Sequence, residues 1–253
     1  MTICGRDTIT IVLLTDAQVA QYNELGFVVL EDVFDAPTME ALDQALEAHF
    51  RKHEEALRAE GDSGISRAGE IAFTAYIAEE DETVRAFVTR PEFVELSTRL
   101  LGTGDTDLYW NQTVYKHPEG DKEFPWHQDD AYTPVRPAPY LTLWLAISDA
   151  TTENGCISVL PGSHADGLRP HEATSIGLVG YPSDAPDQGI QVPIRAGSMI
   201  AFPSLCLHKS GPNRSSGMRK AYVIQYSAHP LFRVSDGEEI HNPIPVARGG
   251  QPA

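Results

Sequence analysis

Leu108-Tyr-Trp-Asn-Gln-Thr-Val-Tyr115 is dense in β-branched and aromatic residues, a composition that suits a pleated, partly buried surface. Its character recurs downstream in Tyr140–Ile147, Cys156–Leu160, Ile190–Ile194, Ser198–Phe202 and Lys220–Tyr226, with Pro, Gly and Asn between the runs. Many short strands with turn punctuation predict an antiparallel sandwich, jelly roll or barrel. The stretch 165–189, rich in Gly, Pro, Asp and Ser, is too long for an ordinary hairpin turn, and loops of that length are usually functional or disordered.

Upstream the signals are helical. Thr15-Asp-Ala-Gln18 has the form of a capping box, and the short pattern behind it (Val19, Tyr22) ends at Gly26, a natural helix stop. Phe27-Val-Val-Leu30 then reads as a strand. Asp35-Ala-Pro37 starts a second helix, whose apolar positions Met39, Leu42, Leu46, Phe50 and Leu57 fall mostly at three- and four-residue steps. Shorter helices are expected at 80–89 and 92–101, with 60–78 between as a polar, glycine-bearing loop. The tail after Arg233 carries three prolines and is expected to be extended or loosely packed. With no internal repeat or linker, the organisation predicted is one domain over 1–253, with helical support in 1–105, a β core in 106–230 and a tail in 231–253.

The 253 residues hold 36 acidic and 19 basic side chains, a net charge of −17. That balance repels phosphate backbones and anionic lipid headgroups, so nucleic acid and membrane surfaces are excluded as partners and a small-molecule substrate remains. No pattern sets an oligomeric state. Cys4, Cys156 and Cys206 lack the spacing of a disulfide framework, which predicts a reducing compartment. No apolar run approaches the roughly 20 residues needed to span a bilayer, and the N-terminus does not read as a signal peptide. A cytoplasmic protein is the expectation.

Two His-x-Asp triplets stand in the β region: His127-Gln-Asp129, and His164-Ala-Asp166 after Pro161-Gly-Ser163. On an extended strand, positions i and i+2 point to one side, so each triplet can offer an imidazole and a carboxylate to one metal ion. A third ligand must come from another strand. His208, at the end of Ser198-Met-Ile-Ala-Phe-Pro-Ser-Leu-Cys-Leu207, is placed for that role, and His127 is its better partner because His164 sits in a turn leading into the long insert. The competing reading is of surface and turn histidines beside a polar cluster. His49 and His53 have the helical spacing of a zinc pair, but position 50 is Phe, so the glutamate of the helical metalloprotease motif is absent. Arg219 begins the last strand, where it could pair bidentately with a carboxylate held near the metal. Ser210 lies two residues after His208, on the same face if the strand continues.

Together, Trp126-His-Gln-Asp129, Trp144, Asn154-Gly-Cys-Ile157, Leu160-Pro-Gly-Ser-His164, Gly197-Ser-Met-Ile-Ala-Phe202 and His208-Lys-Ser-Gly-Pro-Asn213 with Arg219 resemble the phytanoyl-CoA dioxygenase family of iron(II)- and 2-oxoglutarate-dependent oxygenases. The matching elements run in order across about 108–228. The resemblance implies a mainly β fold with flanking α: a double-stranded β-helix, cupin-like, with N-terminal helices packed outside. It implies iron(II) held by His127, Asp129 and His208, with positions left for 2-oxoglutarate and O2. It also implies Arg219 and Ser210 on the distal carboxylate of 2-oxoglutarate, and Trp144 with Gln112 or Lys116 lining the cosubstrate pocket. His164 becomes a loop residue at the pocket mouth, and Tyr132 and His164 are the candidate substrate contacts. The implied reaction hydroxylates a small metabolite or biosynthetic intermediate, releasing succinate and CO2; the carboxylate of Asp129 separates it from halogenating relatives, which carry a small residue there. Basic residues such as Arg136 and Arg169 are too scattered to hold the phosphates of a coenzyme A thioester. The alternatives are a metal-binding jelly roll without oxygen chemistry, acting as a binding protein, sensor or isomerase, and a zinc hydrolase built on His49 and His53.

Overall fold

The computed structural model describes residues 13–181 and 188–253. Cys4 and residues 182–187 of the long insert lie outside the described residues.

The first helix, Asp16–Leu25, starts where the capping box predicts. The Gln18 amide N–H donates to Thr15 Oγ1 at 3.2 Å, the Thr15 N–H donates back to Gln18 Oε1 at 2.9 Å, and Gly26 closes the helix in the left-handed region at φ 76°. Two of the backbone donors at the helix start are thereby satisfied. Thr15→Ala is expected to lower the unfolding free energy by about 1 kcal/mol, read from the urea midpoint at unchanged slope. The long helix Ala36–Glu60, capped by Asp35, buries Met39, Leu42, Leu46, Phe50 and Leu57, the stripe expected from its spacing. Helix Pro91–Leu101 completes the support.

Those helices cover one face of an antiparallel sheet. Its strands run in the order Val28–Leu30, Met199–Pro203, Leu141–Ala146, Arg219–Ala228, Thr106–Lys116, with Ile244–Arg248 and Ile71–Ala75 both pairing with Thr106–Lys116. The period-2 pleat divides each strand between two cores. Leu143, Leu145, Met199, Ala201, Tyr222, Ile224 and Tyr226 face the helices. Trp144, Ala146, Ile200, Phe202, Ala221 and Val223 face inward, against a smaller sheet of Ile190–Val192, Ile157–Val159, His208–Ser210 and Phe124–His127. Two antiparallel sheets face to face, with helices outside the larger one, make the double-stranded β-helix.

Two expectations need correction. The segment 60–78 is not all loop: Ile71–Ala75 pairs with Gln112–Lys116, and Ile71 and Ala72 are buried. The tail is not loosely packed. Ile244–Arg248 adds to the other end of the same strand, burying Ile244, Val246 and Ala247, and Pro245 is accommodated at a register shift, where a missing N–H costs no ladder bond. The described part of the 165–189 insert contains a short hairpin, Glu172–Thr174 with Gly177–Val179. In the first two cases neighbouring polar or proline residues mask a strand whose pairing partner lies far away in sequence. Among the described residues, no helix is long and apolar enough to cross a membrane.

Candidate metal centre and its two cavities

The strand Phe124–His127 ends on His127, and Gln128 stays extended (φ −114°, ψ 133°) before the 3-10 turn Asp129–Ala131. The i, i+2 relation of the triplet therefore survives although Asp129 has left the strand. His208 opens the neighbouring strand in direct register with His127, with ring centroids 4.1 Å apart. Asp129 Oδ1 lies 3.4 Å from His127 Nε2 and 3.6 Å from His208 Nε2. Among the described residues this is the one group of three His, Cys, Asp or Glu side chains that could converge on a metal ion.

The hydrogen bonds around the group prepare it for a metal. His127 Nδ1 meets the Pro125 carbonyl at 2.8 Å and His208 Nδ1 the Cys206 carbonyl at 3.0 Å. Each Nδ1 then carries the proton and donates, so each Nε2 lone pair faces Asp129. Burial, and after it His127, pushes His208 down to about 4 against the opposing pull of Asp129, leaving it uncharged near neutrality. Burial alone would raise Asp129, but its contacts with the two imidazoles and the hydrogen bond from the Thr142 hydroxyl outweigh it and hold the carboxyl at about 2. Two imidazoles and one carboxylate converging on one point form the donor set of a non-haem iron(II) site.

Sequence reading missed two residues here. Thr142 Oγ1 donates to Asp129 Oδ2 at 2.7 Å and Gln225 Nε2 donates to the same oxygen at 2.9 Å. Oδ2 is thus occupied by protein and Oδ1 alone faces the histidines, which favours one-oxygen ligation. Gln225→Leu is expected to weaken iron(II) or manganese(II) binding by about 10–100-fold with the fold retained, measured by anaerobic metal titration.

Two cavities meet at the triad. The inner one is lined by Gln112, Trp144, Lys209 and Ser210 together with His127, Asp129 and His208. Beside it, Arg219 is wholly buried, with its guanidinium carbon 5.3 Å from the Trp144 ring centroid. Arg219 Nη1 donates to the Val114 carbonyl at 3.1 Å, whereas Nε and Nη2 have no acceptor. Lys116, 1% exposed, donates to the carbonyls of Lys122, Ser210 and Gly211. Burial pulls Arg219 down to about 10, and burial with the neighbouring Arg219 lowers Lys116 well below its usual value. Unmatched buried N–H groups on a guanidinium are costly, and a carboxylate supplies the two acceptors that the planar fork lacks. The outer cavity, about 210 Å³, shares Phe73, Gln112, Phe124, His127 and Asp129 with the inner one and adds Tyr132 and Tyr140.

His164 is the misplaced candidate. Expected at the pocket mouth, it lies instead against the first helix, with Nε2 3.1 Å from the Asn23 carbonyl and its ring filling the space beside Gly26. A larger hollow of about 760 Å³, lined by His164, Tyr22 and His229 among others, shares no residue with the triad cavities. Asp166, its triplet partner, pairs with Arg169 at 2.5 Å. His49 and His53 do not converge either: His49 faces Asp81 and His53 faces Ser66, each at 3.4 Å.

The sequence model of the family described as phytanoyl-CoA dioxygenase matches residues 22–221. The chain belongs to this family. A probable phytanoyl-CoA dioxygenase of Caenorhabditis elegans is 29% identical over 189 residues, which are 69% of this chain and 58% of that protein. The chain spans between 47% and 58% of the length of the Caenorhabditis family members it matches. Among solved structures, the non-heme alpha ketoglutarate dependent carbocyclase SnoK from nogalamycin biosynthesis superposes with a TM-score of 0.71 at 23% identity, covering 92% of this chain and 96% of SnoK. EvdO2 from Micromonospora carbonacea var. aurantiaca, complexed with 2-oxoglutarate, gives 0.70 at 21% identity over 90% and 96% of the two chains. At these identities the structural likeness speaks for the shared fold.

Proposed function

We propose that this chain is an iron(II)- and 2-oxoglutarate-dependent oxygenase of a small organic molecule, with His127, Asp129 and His208 as iron ligands and Arg219 as the clamp on the far carboxylate of 2-oxoglutarate. The observation that carries the reading is Arg219, fully buried beside the triad with Nε and Nη2 unmatched. A sensor or an isomerase without oxygen chemistry would have no need of a carboxylate clamp beside the metal.

Bound iron would supply oxygen activation coupled to the oxidative decarboxylation of 2-oxoglutarate to succinate and CO2. The chain's own residues supply geometry and exclusion of water. Arg219, with Ser210 and Trp144 on the adjoining wall, orients the dicarboxylate along the inner cavity. Gln112, which lines both cavities, stands where cosubstrate and substrate meet. Gln225 and Thr142 keep Asp129 turned toward the metal. The apolar side chains Phe73 and Phe124 wall the junction and limit water there. Tyr132, whose hydroxyl accepts the Leu178 N–H at 3.1 Å, joins the outer cavity to the 172–179 hairpin and is the candidate substrate contact that remains.

The carboxylate ligand Asp129 favours hydroxylation or a related oxidation over halogenation. The free buried thiols of Cys156 and Cys206 suit a reducing compartment such as the cytoplasm. Anaerobic addition of iron(II) and then 2-oxoglutarate should give a weak visible charge-transfer band, and admission of oxygen should release succinate. Folded protein that takes up iron(II) yet shows neither the band nor succinate would overturn the proposal.

A further inference from the structure

The two cavities that meet at the triad differ in charge. Lys209 lines the inner one, and Arg219 and Lys116 are buried beside it. Among the described residues, the outer one has no lysine or arginine in its wall, and its one carboxylate is Asp129. Six aromatic side chains make up half of that wall's residues: Phe73, Tyr109, Trp110, Phe124, Tyr132 and Tyr140. They brace one another, with Tyr109 on Tyr140 at 4.9 Å and Phe73 on Phe124 at 5.3 Å between centroids, while Tyr76 packs on Trp110 at 4.5 Å. Apart from His127 and Asp129, its polar groups are neutral: the Gln112 and Gln225 amides and the Thr133 hydroxyl beside the phenols.

We infer that the substrate of this site is an uncharged, ring-containing compound bearing hydroxyl or carbonyl groups, and that carboxylates, phosphates and acyl-CoA thioesters are poor ligands of the outer cavity. This deepens the oxygenase reading and rests on it for the identity of the site. Tilted, mutually packed rings offer flat apolar faces to another ring, and the neutral donors and acceptors match hydroxyl or carbonyl oxygens. An anion brought here would lose its hydration without meeting a cation, next to the carboxylate of Asp129. Basic residues at the border are already engaged. Arg67, on the segment that carries Ile65 into the wall, donates to the carbonyls of Gly64, Ser66 and Ser175 at 2.6–2.8 Å. Arg233, within electrostatic reach of Tyr109, pairs with Asp236 at 2.6 Å.

The test compares 2-naphthol, 2-naphthoate and 2-naphthoyl-CoA on the protein loaded anaerobically with iron(II) and 2-oxoglutarate. Binding is read from quenching of tryptophan fluorescence, with Trp110→Phe identifying the part that arises in the outer cavity, and from perturbation of the charge-transfer band. The expected result is 2-naphthol binding at least about tenfold more tightly than 2-naphthoate, with no band perturbation by the thioester. Thr133→Lys, which adds a cation to the wall, should raise 2-naphthoate affinity by a similar factor. Equal or tighter binding of either anion, failure of all three to bind, or an unchanged 2-naphthoate affinity in Thr133→Lys would overturn the inference. If the charge-transfer band never forms, the oxygenase reading falls, and the fluorescence titrations still decide the charge preference.

Discussion

Arg219→Leu is expected to raise the dissociation constant for 2-oxoglutarate by roughly 30- to several thousand-fold, the 2–5 kcal/mol that accompanies removal of one partner from a buried, hydrogen-bonded charge pair. The unliganded protein should not lose stability with it. Two of the guanidinium's nitrogen atoms have no acceptor, and the group is fully buried, so exchanging it for a shorter apolar side chain removes an uncompensated charge while giving up one hydrogen bond, to the Val114 carbonyl. A purely structural arginine would behave in the opposite way, with stability falling and cosubstrate affinity unchanged. Urea denaturation of the unliganded variant together with 2-oxoglutarate titration of the iron-loaded form separates the two. Arg219→Lys should recover only part of the affinity, because an ammonium has the charge without the planar fork.

Asp129→Ala is expected to weaken iron(II) binding by more than the roughly 10–100-fold assigned to the residues behind it, and to take succinate release below detection. The sheets should survive. Asp129 lies just past the end of its strand and contributes no side chain to the apolar cores. The substitution leaves the Thr142 hydroxyl and the Gln225 amide without their carboxylate acceptor, but these two still meet each other at 3.2 Å, so the expected cost to stability is modest, about 1–3 kcal/mol. Circular dichroism and anaerobic metal titration on the same sample check both halves. Iron(II) retained at the original affinity would remove Asp129 from the ligand set.

Local physics was the legible part of this molecule. The capping box at Thr15, the stop at Gly26 and the apolar stripe of Ala36–Glu60 are written in residues three or four apart, and the structure reproduces each. The longer strands were equally readable, because the pleat needs only alternation within one segment to divide Leu143 and Leu145 from Trp144 and Ala146. Some short strands, such as Val28–Leu30 and Ile157–Val159, were readable from their β-branched residues, but four others were not. Phe124–His127, His208–Ser210, Ile71–Ala75 and Ile244–Arg248 are too short to carry a pattern of their own, and they exist because a distant edge supplies their hydrogen bonds. The metal ligands were nameable through an ordered set of motifs, while Gln225 and Thr142 had no motif to mark them.

By itself, then, the sequence determined the helices, the longer strands, the excess of negative charge and the side chains able to ligate a metal, since each depends on residue type and near-neighbour spacing. Tertiary structure decided what those residues face. Register between strands some 80 residues apart set His127 against His208, and the fold carried Gln225, 96 positions from Asp129, to its outer oxygen. The same folding took His164 to the first helix and collected the buried cations on one side of the triad and the aromatic rings on the other. Charge and hydrogen-bonding act across a few ångströms of space, and only the folded chain specifies which side chains are that close.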